Sequence, residues 1–149
     1  MDRILIGRTD KVDFPKLGFS EVDVKIDTGA YTSSIHCTHI YEDDDRLFCT
    51  FLDPQHPSYD GNKMIFTAYD VTAVKSSNGE IQTRYVVQSN IRIFNKVFKI
   101  SLTLSSREDM RFPVLLGRKF LTKKFIVDTA LTDLSYNNKI HEFKNPIEK

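Results

Sequence analysis

The sequence predicts an all-β fold, a barrel or sandwich with one brief helix. Three observations lead there. Val, Ile, Thr, Tyr and Phe are frequent, apolar and polar residues alternate over short runs, and turn signals recur at close intervals. At 149 residues the chain reads as one domain, 1–149, long enough to bury a core.

The elements follow in order. Val22, Asp23, Val24, Lys25 and Ile26 alternate as a half-buried strand does, and the strand ends on Asp27-Thr28-Gly29-Ala30. Ser33–Tyr41 and Arg46–Phe51 are the next strands. A turn at Glu42 to Asp44 would pair them so that position numbers sum to about 86, setting Cys37 opposite Cys49. Segment 53–63, DPQHPSYDGNK, holds two prolines and a glycine and reads as a loop. Asn78-Gly79 lies between AYDVTAVKSS and EIQTRYVVQ, a two-residue hairpin signal because both positions tolerate positive φ. Asn95-Lys96 separates SNIRIF from VFKISLTL, where Phe98, Ile100, Leu102 and Leu104 alternate with polar residues. The helix should begin near Gly117 in LLGRKFLTKK and end before Phe125. Asn137-Asn138 separates DLSY from KIHEF and predicts a final hairpin over 131–143.

Charge narrows the function. Lys plus Arg number 21 against 20 Asp plus Glu, a net charge of +1, so there is no broad basic field and nucleic acid is not an expected partner. The opening MDRILIGRTDKVDF has only a short apolar run, with Asp10, Lys11 and Asp13 soon after. It reads as neither a signal peptide nor a membrane span, and no later stretch is long enough to cross a bilayer. The expectation is a soluble, cytoplasmic chain in which Cys37 and Cys49 are reduced, buried thiols; an oxidising compartment could close them into a disulfide.

Asp27-Thr28-Gly29-Ala30 resembles the D-T-G-[AS] signature of aspartic proteases. Phe112-Pro113-Val114-Leu115-Leu116-Gly117-Arg118 resembles the apolar strand, glycine and following helix of retropepsins. Ile6-Gly7-Arg8, Lys25 to His36 and Arg107 to Leu121 together are similar to the retropepsin-like RimB group, often labelled an ATP-dependent zinc protease and found beside the glutamate ligase RimK. The resemblance spans most of the chain and implies a closed retropepsin-like β-barrel. It also implies an aspartic endopeptidase with Asp27, Thr28 and Gly29 as its catalytic turn.

The chemistry fits those residue types. Two carboxylates a few ångströms apart share one proton, because both cannot ionise so close together. One activates water and the other protonates the tetrahedral intermediate. Gly29 permits close backbone approach. Thr28 would, by resemblance, turn its hydroxyl to the facing loop. Ala30 withholds the hydroxyl donor that a serine would give the outer carboxylate oxygen. With one DTG per chain, the resemblance implies a homodimer, Asp27 facing its counterpart across a two-fold axis.

Phe125-Ile126-Val127-Asp128-Thr129-Ala130 echoes D-T-A, but pairing Asp27 with Asp128 would need a second LLG-type element, and only one is read here. Counting back 38 residues from Gly117 puts the flap tip at Asn78-Gly79, within a flap from Lys75 to Gln82. The resemblance thus assigns Ala30, Asn78, Gly79, Leu116 and Gly117 to substrate binding. Departures from the minimal retropepsin are an insertion at 42–63 and the extra hairpin at 131–143.

Neither H-E-x-x-H nor G-x-x-x-x-G-K-[ST] occurs, so no metal or cofactor is expected. His36, Cys37 and His39 crowd together, but strand alternation separates His36 from the other two. Asp43-Asp44-Asp45 reads as a solvated turn. Two alternatives to the peptidase stand: a non-catalytic peptide-binding module and a metal-dependent hydrolase. The partner implied is a peptide or protein, conceivably a glutamate-extended tail or RimK itself, and Lys25, Arg84, Arg92 and Arg111 are cations that could attract acidic residues.

Overall fold

The computed structural model describes residues 2–75, 78–106 and 111–144. Eleven strands occur among them: β1 (Ile4–Ile6), β2 (Thr9–Phe14), β3 (Phe19–Ile26), β4 (Ser33–Asp43), β5 (Arg46–Phe51), β6 (Lys63–Phe66), β7 (Asp70–Lys75), β8 (Ile81–Ile93), β9 (Lys96–Ser105), β10 (Val114–Leu116) and β11 (Phe125–Val127). Two helices join them, α1 (Arg118–Leu121) and α2 (Leu134–Lys144), with one 3-10 turn at Pro15–Leu17.

Six strands close a barrel in the order β10, β3, β2, β8, β9, β4 and back to β10. Two of its seams are parallel, β3 with β10 and β4 with β9. β4 is long enough to leave the barrel: Ser33–His36 pair with β9, and the rest carries β5 and then β6. Alternation explains the interior. Val22, Val24 and Ile26 of β3 are buried, as are Ile100, Leu102 and Leu104 of β9, with Phe14, Ile35, Val114 and Leu116 completing the core. A separate parallel pair, β1 with β11, brings Ile4 beside Phe125.

Several expected turns sit where other residues satisfy positive φ. The β4–β5 turn is Asp44-Asp45, with φ of 54° and 59°, rather than Glu42 to Asp44. The register therefore places Cys49 opposite Ile40 and Cys37 opposite Phe51, with a bulge between Cys37 and His39. Cys37 and Cys49 are both buried and free, and their side chains still meet through the interior. The β8–β9 turn is Phe94-Asn95.

The predicted last hairpin is instead helix α2, so the fold has two helices among its described residues rather than one. The cause is tertiary. Asp10, buried in β2, accepts the N–H groups of Ser135 (2.9 Å) and Tyr136 (3.0 Å), capping a helix start that lies 125 residues away. Lys139 anchors the next turn on Asp13 at 3.0 Å. Asn137 then bonds back to Asp133 instead of turning the chain.

Candidate active site

Asp27 is fixed by its main chain before its side chain matters. Its N–H donates to the Leu116 carbonyl at 2.8 Å, continuing the parallel β3–β10 ladder by one residue. The chain then turns: Ala30 N–H reaches the Asp27 carbonyl at 3.2 Å, and Gly29 N–H reaches Asp27 Oδ1 at 3.1 Å. Oδ2 has no hydrogen-bond partner among the described residues. α1 locks the turn from outside. Arg118 donates its guanidinium to the Thr28 carbonyl at 3.0 Å and its N–H to the Ala30 carbonyl at 2.9 Å.

Gly117 allows that approach. A Cβ there would lie 2.4 Å from the Thr32 carbonyl oxygen and 2.7 Å from that of Tyr31. Its N–H is taken by the buried Ser33 hydroxyl at 3.0 Å. The expected substrate contacts thus divide. Ala30 borders the groove beside Asp27; Leu116 is wholly buried and supports Asp27 through its carbonyl, and Gly117 is a packing position. The residue of β10 that borders the groove is Leu115.

The groove holds about 1180 Å³ and runs past Asp27, Arg8, Lys25, Arg84, Arg111 and Phe112. Four cations and one carboxylate line it, and none of the four cations has an acidic partner among the described residues. Arg92, also read as a candidate cation, sits opposite Val97 on β8 and does not border it. β7 and β8 form the hairpin expected as a flap, from the Lys75–Ile81 pair to Gly79 at φ 87°. Ser76 and Ser77 of the predicted flap, and 107–110 of the predicted motif, lie outside the described residues.

Ile6-Gly7-Arg8, read from the sequence only as part of a family resemblance, has a structural role that the sequence reading missed. Asp128 N–H donates to the Ile6 carbonyl at 2.9 Å, Ala130 N–H to Asp128 Oδ1 at 2.9 Å, and Leu131 N–H to the Asp128 carbonyl at 3.2 Å. Arg8 gives its guanidinium to the Thr129 carbonyl at 3.1 Å and its N–H to the Leu131 carbonyl at 2.8 Å. Each contact repeats one at Asp27, with Leu5-Ile6-Gly7-Arg8 standing for Leu115-Leu116-Gly117-Arg118. A second apolar-apolar-Gly-Arg element therefore exists, and the strings IGR and LGR were its signal. It does not make an internal dyad. No hydrogen bond joins their carboxylates: Asp27 Oδ1 takes the N–H of Gly29 and Asp128 Oδ1 that of Ala130.

The other constellations come apart. His36 is buried with Nε2 3.4 Å from Asp53, while His39 is exposed. Among the described residues no three His, Cys, Asp or Glu side chains gather as a metal site. Burial, together with the neighbouring Cys49 thiol, pushes the Cys37 thiol well above its usual range, which keeps it protonated and unfit as a nucleophile. No helix among the described residues is long and apolar enough to cross a membrane.

A closed six-stranded barrel with an acid at the end of one strand, tied to an apolar strand and a short helix, defines the retropepsin-like class. Comparison with known proteins agrees. A family model described as retropepsin-like aspartic endopeptidase RimB matches residues 5–137. The chain belongs to this RimB-like family. It is 34% identical over 135 residues to a probable alpha-L-glutamate ligase of Shewanella halifaxensis, covering 87% of this chain and 29% of that protein. A probable alpha-L-glutamate ligase of Desulfotalea psychrophila is 33% identical over 133 residues, covering 85% and 28%. The chain thus spans less than a third of the length of these curated relatives. Among solved structures, protein Lpg0085 of Legionella pneumophila, of unknown function (DUF785), superposes with a TM-score of 0.69 at 27% identity, covering 90% of this chain and 99% of that one.

Proposed function

We propose that this chain is an aspartic endopeptidase of the cytoplasm whose active form is a homodimer, with Asp27 from each copy meeting across a two-fold axis. One observation carries the reading: Asp27 stands at a strand end with Oδ1 held by Gly29, Oδ2 unpartnered among the described residues, and a groove of about 1180 Å³ beside it. In the dimer the paired carboxylates share one proton. The ionised one takes a proton from water as the water oxygen attacks the peptide carbonyl, and the protonated one gives its proton to the carbonyl oxygen. Collapse of the intermediate breaks the C–N bond, and the amine leaves with a proton from the dyad.

Three features support the pairing. The Thr28 side chain is exposed on the single chain, open to a partner's loop. Leu5 and Ile126 face each other across β1 and β11 and are 46% and 53% exposed, with Tyr31 at 59% in the Asp27 turn. β11 pairs only with β1 among the described strands, which leaves its other edge for a second copy.

The groove suits an acidic peptide. Arg8, Lys25, Arg84 and Arg111 line it without acidic partners among the described residues, and the relatives are named as glutamate ligases. A glutamate-extended tail made by a ligase of the RimK kind is the substrate proposed. The test is turnover of glutamate-rich peptides by the wild type and by Asp27→Asn, with sedimentation across a dilution series. Equal cutting by both would sink the assignment, and so would full activity per chain in a monomer.

A second reading is a peptide-binding module without turnover. It is favoured by the size of the relatives, in which a domain of this kind accounts for under a third of a ligase and could hold an acidic tail without cutting it. Tight binding with no cleavage at any pH would select it.

A further inference from the structure

We propose that the outer face of the β8–β9 hairpin, walled by α1, is a second groove that binds acidic residues of the substrate remote from the scissile bond. It rests on the acidic-peptide reading of the cleft, and not on turnover.

The groove has a volume of about 630 Å³. It shares Thr32, Arg84 and Thr103 with the Asp27 cleft, so the two adjoin along a common wall. Strand alternation builds its floor: Arg84, Val86 and Gln88 lie on one face of β8, and Thr103 and Ser101 stand opposite Val86 and Gln88 on β9. Ser101 donates its hydroxyl to Gln88 Oε1 at 2.8 Å, which fixes part of that floor. α1 and the turn after it supply one wall through Lys119, Phe120 and Lys124, and the start of β7 supplies the other.

The charges indicate the ligand. Arg84, Lys99 and Lys119 line the groove with no acidic partner among the described residues, although the chain has nearly as many acids as bases. Lys124 is committed elsewhere, donating to the Phe120 carbonyl at 2.9 Å. The only acid among the described residues of the lining is Asp70, on the β7 wall. Three uncompensated cations along a groove match a run of carboxylates, because every second side chain of an extended acidic peptide faces the same wall. Nucleic acid fits less well. The one aromatic among the described residues of the lining, Phe120, is 4% exposed and offers no stacking surface.

The test uses the full chain carrying Asp27→Asn, so that binding is read without cleavage. Fluorescent peptides with two or with eight consecutive glutamates are titrated by anisotropy, with and without Lys99→Gln and Lys119→Gln together. The long peptide should bind more tightly than the short one, and the double change should weaken it about tenfold while leaving the short peptide within twofold. Unchanged thermal unfolding of the double variant establishes that it is folded. Equal affinity for both peptides, equal loss for both, or no binding of either would overturn the second groove. Displacement of the long peptide by a single-stranded RNA of matched charge at equal concentration would also overturn it, assigning the face to nucleic acid. Failure of the peptidase reading shows separately, as absent turnover in the wild type while the length dependence persists.

Discussion

At the end of β3, Asp27 Oδ1 takes the N–H of Gly29; at the end of β11, Asp128 Oδ1 takes the N–H of Ala130. Each acid hangs from the carbonyl of an apolar residue that precedes a Gly-Arg pair, and each arginine reaches the carbonyl of the threonine that follows the acid. The settings differ. Asp27 is half-buried and borders a large cationic groove, whereas Asp128 is exposed and its turn runs on toward α2. A strand-end D-T-x turn is therefore a way of holding an acid, and the groove beside it decides whether that acid can meet a substrate.

The sharpest way to break this comparison is to neutralise each acid. Asp27→Asn should lower turnover about a thousandfold or more, the scale of lost general acid–base catalysis, while Asp128→Asn stays near wild type. Equal losses in a peptide-cleavage assay would mean that the turns share a function as well as a backbone.

The two glycines should behave alike. A Cβ on Gly7 would lie 2.2 Å from the Leu131 carbonyl oxygen, as one on Gly117 would crowd Thr32. Gly7→Ala and Gly117→Ala should each cost about 1–3 kcal/mol in denaturant unfolding, since backbone must shift to admit the methyl. A neutral result at either position would show that its turn is loosely held.

The arginines should separate the turns again, more gently. Arg8→Ala and Arg118→Ala each remove one exposed side-chain bond to a carbonyl, worth about 1 kcal/mol or less of stability. Only Arg8 borders the cleft, so its loss should also raise KM for acidic peptides several-fold, and the Arg118 change should not.

The smallest effect concerns the cap of α2. Burial raises the Asp10 carboxyl above its ordinary value of 3.8, outweighing the N–H groups of Ser135, Lys11 and Tyr136 that pull it down. The folded state then holds this proton more tightly than the unfolded chain does. The contribution to stability is full below pH 3.8 and is lost as pH rises through the folded value. Asp10→Asn should flatten that part of the stability–pH curve, measured by urea unfolding at a series of pH values.

The barrel and the Asp27 turn were legible because they rest on local signals: alternation in β3 and β9, and a D-T-G string followed much later by LLGR. What was not legible depended on distant partners. Residues 131–143 carry an Asn-Asn pair that reads as a turn, and Asp10 and Asp13, supplied by β2, hold a helix there instead. The Cys37–Cys49 register shifted because a β4 bulge and the Asp44-Asp45 turn moved the pairing by a few residues. The role of Arg8 is not legible from Ile6-Gly7-Arg8 alone because it depends on β1 pairing with β11, which no local pattern reports. The second Gly-Arg string could have been found by comparing the chain with itself.

The parallel seams have a consequence for how the protein comes into being. Arg118 steadies a turn 90 positions earlier, and Arg8 grips one 121 positions later. Such pairings cannot form until both segments have been made, and folds dominated by them mature in about milliseconds to seconds rather than microseconds. During synthesis the D-T-G segment emerges long before the strand that will hold it. The acid is thus carried through that interval as an unsupported side chain on an open strand end. Whatever the Asp27 turn does in its finished form must wait until Leu116 and Arg118, which hold it, have been made.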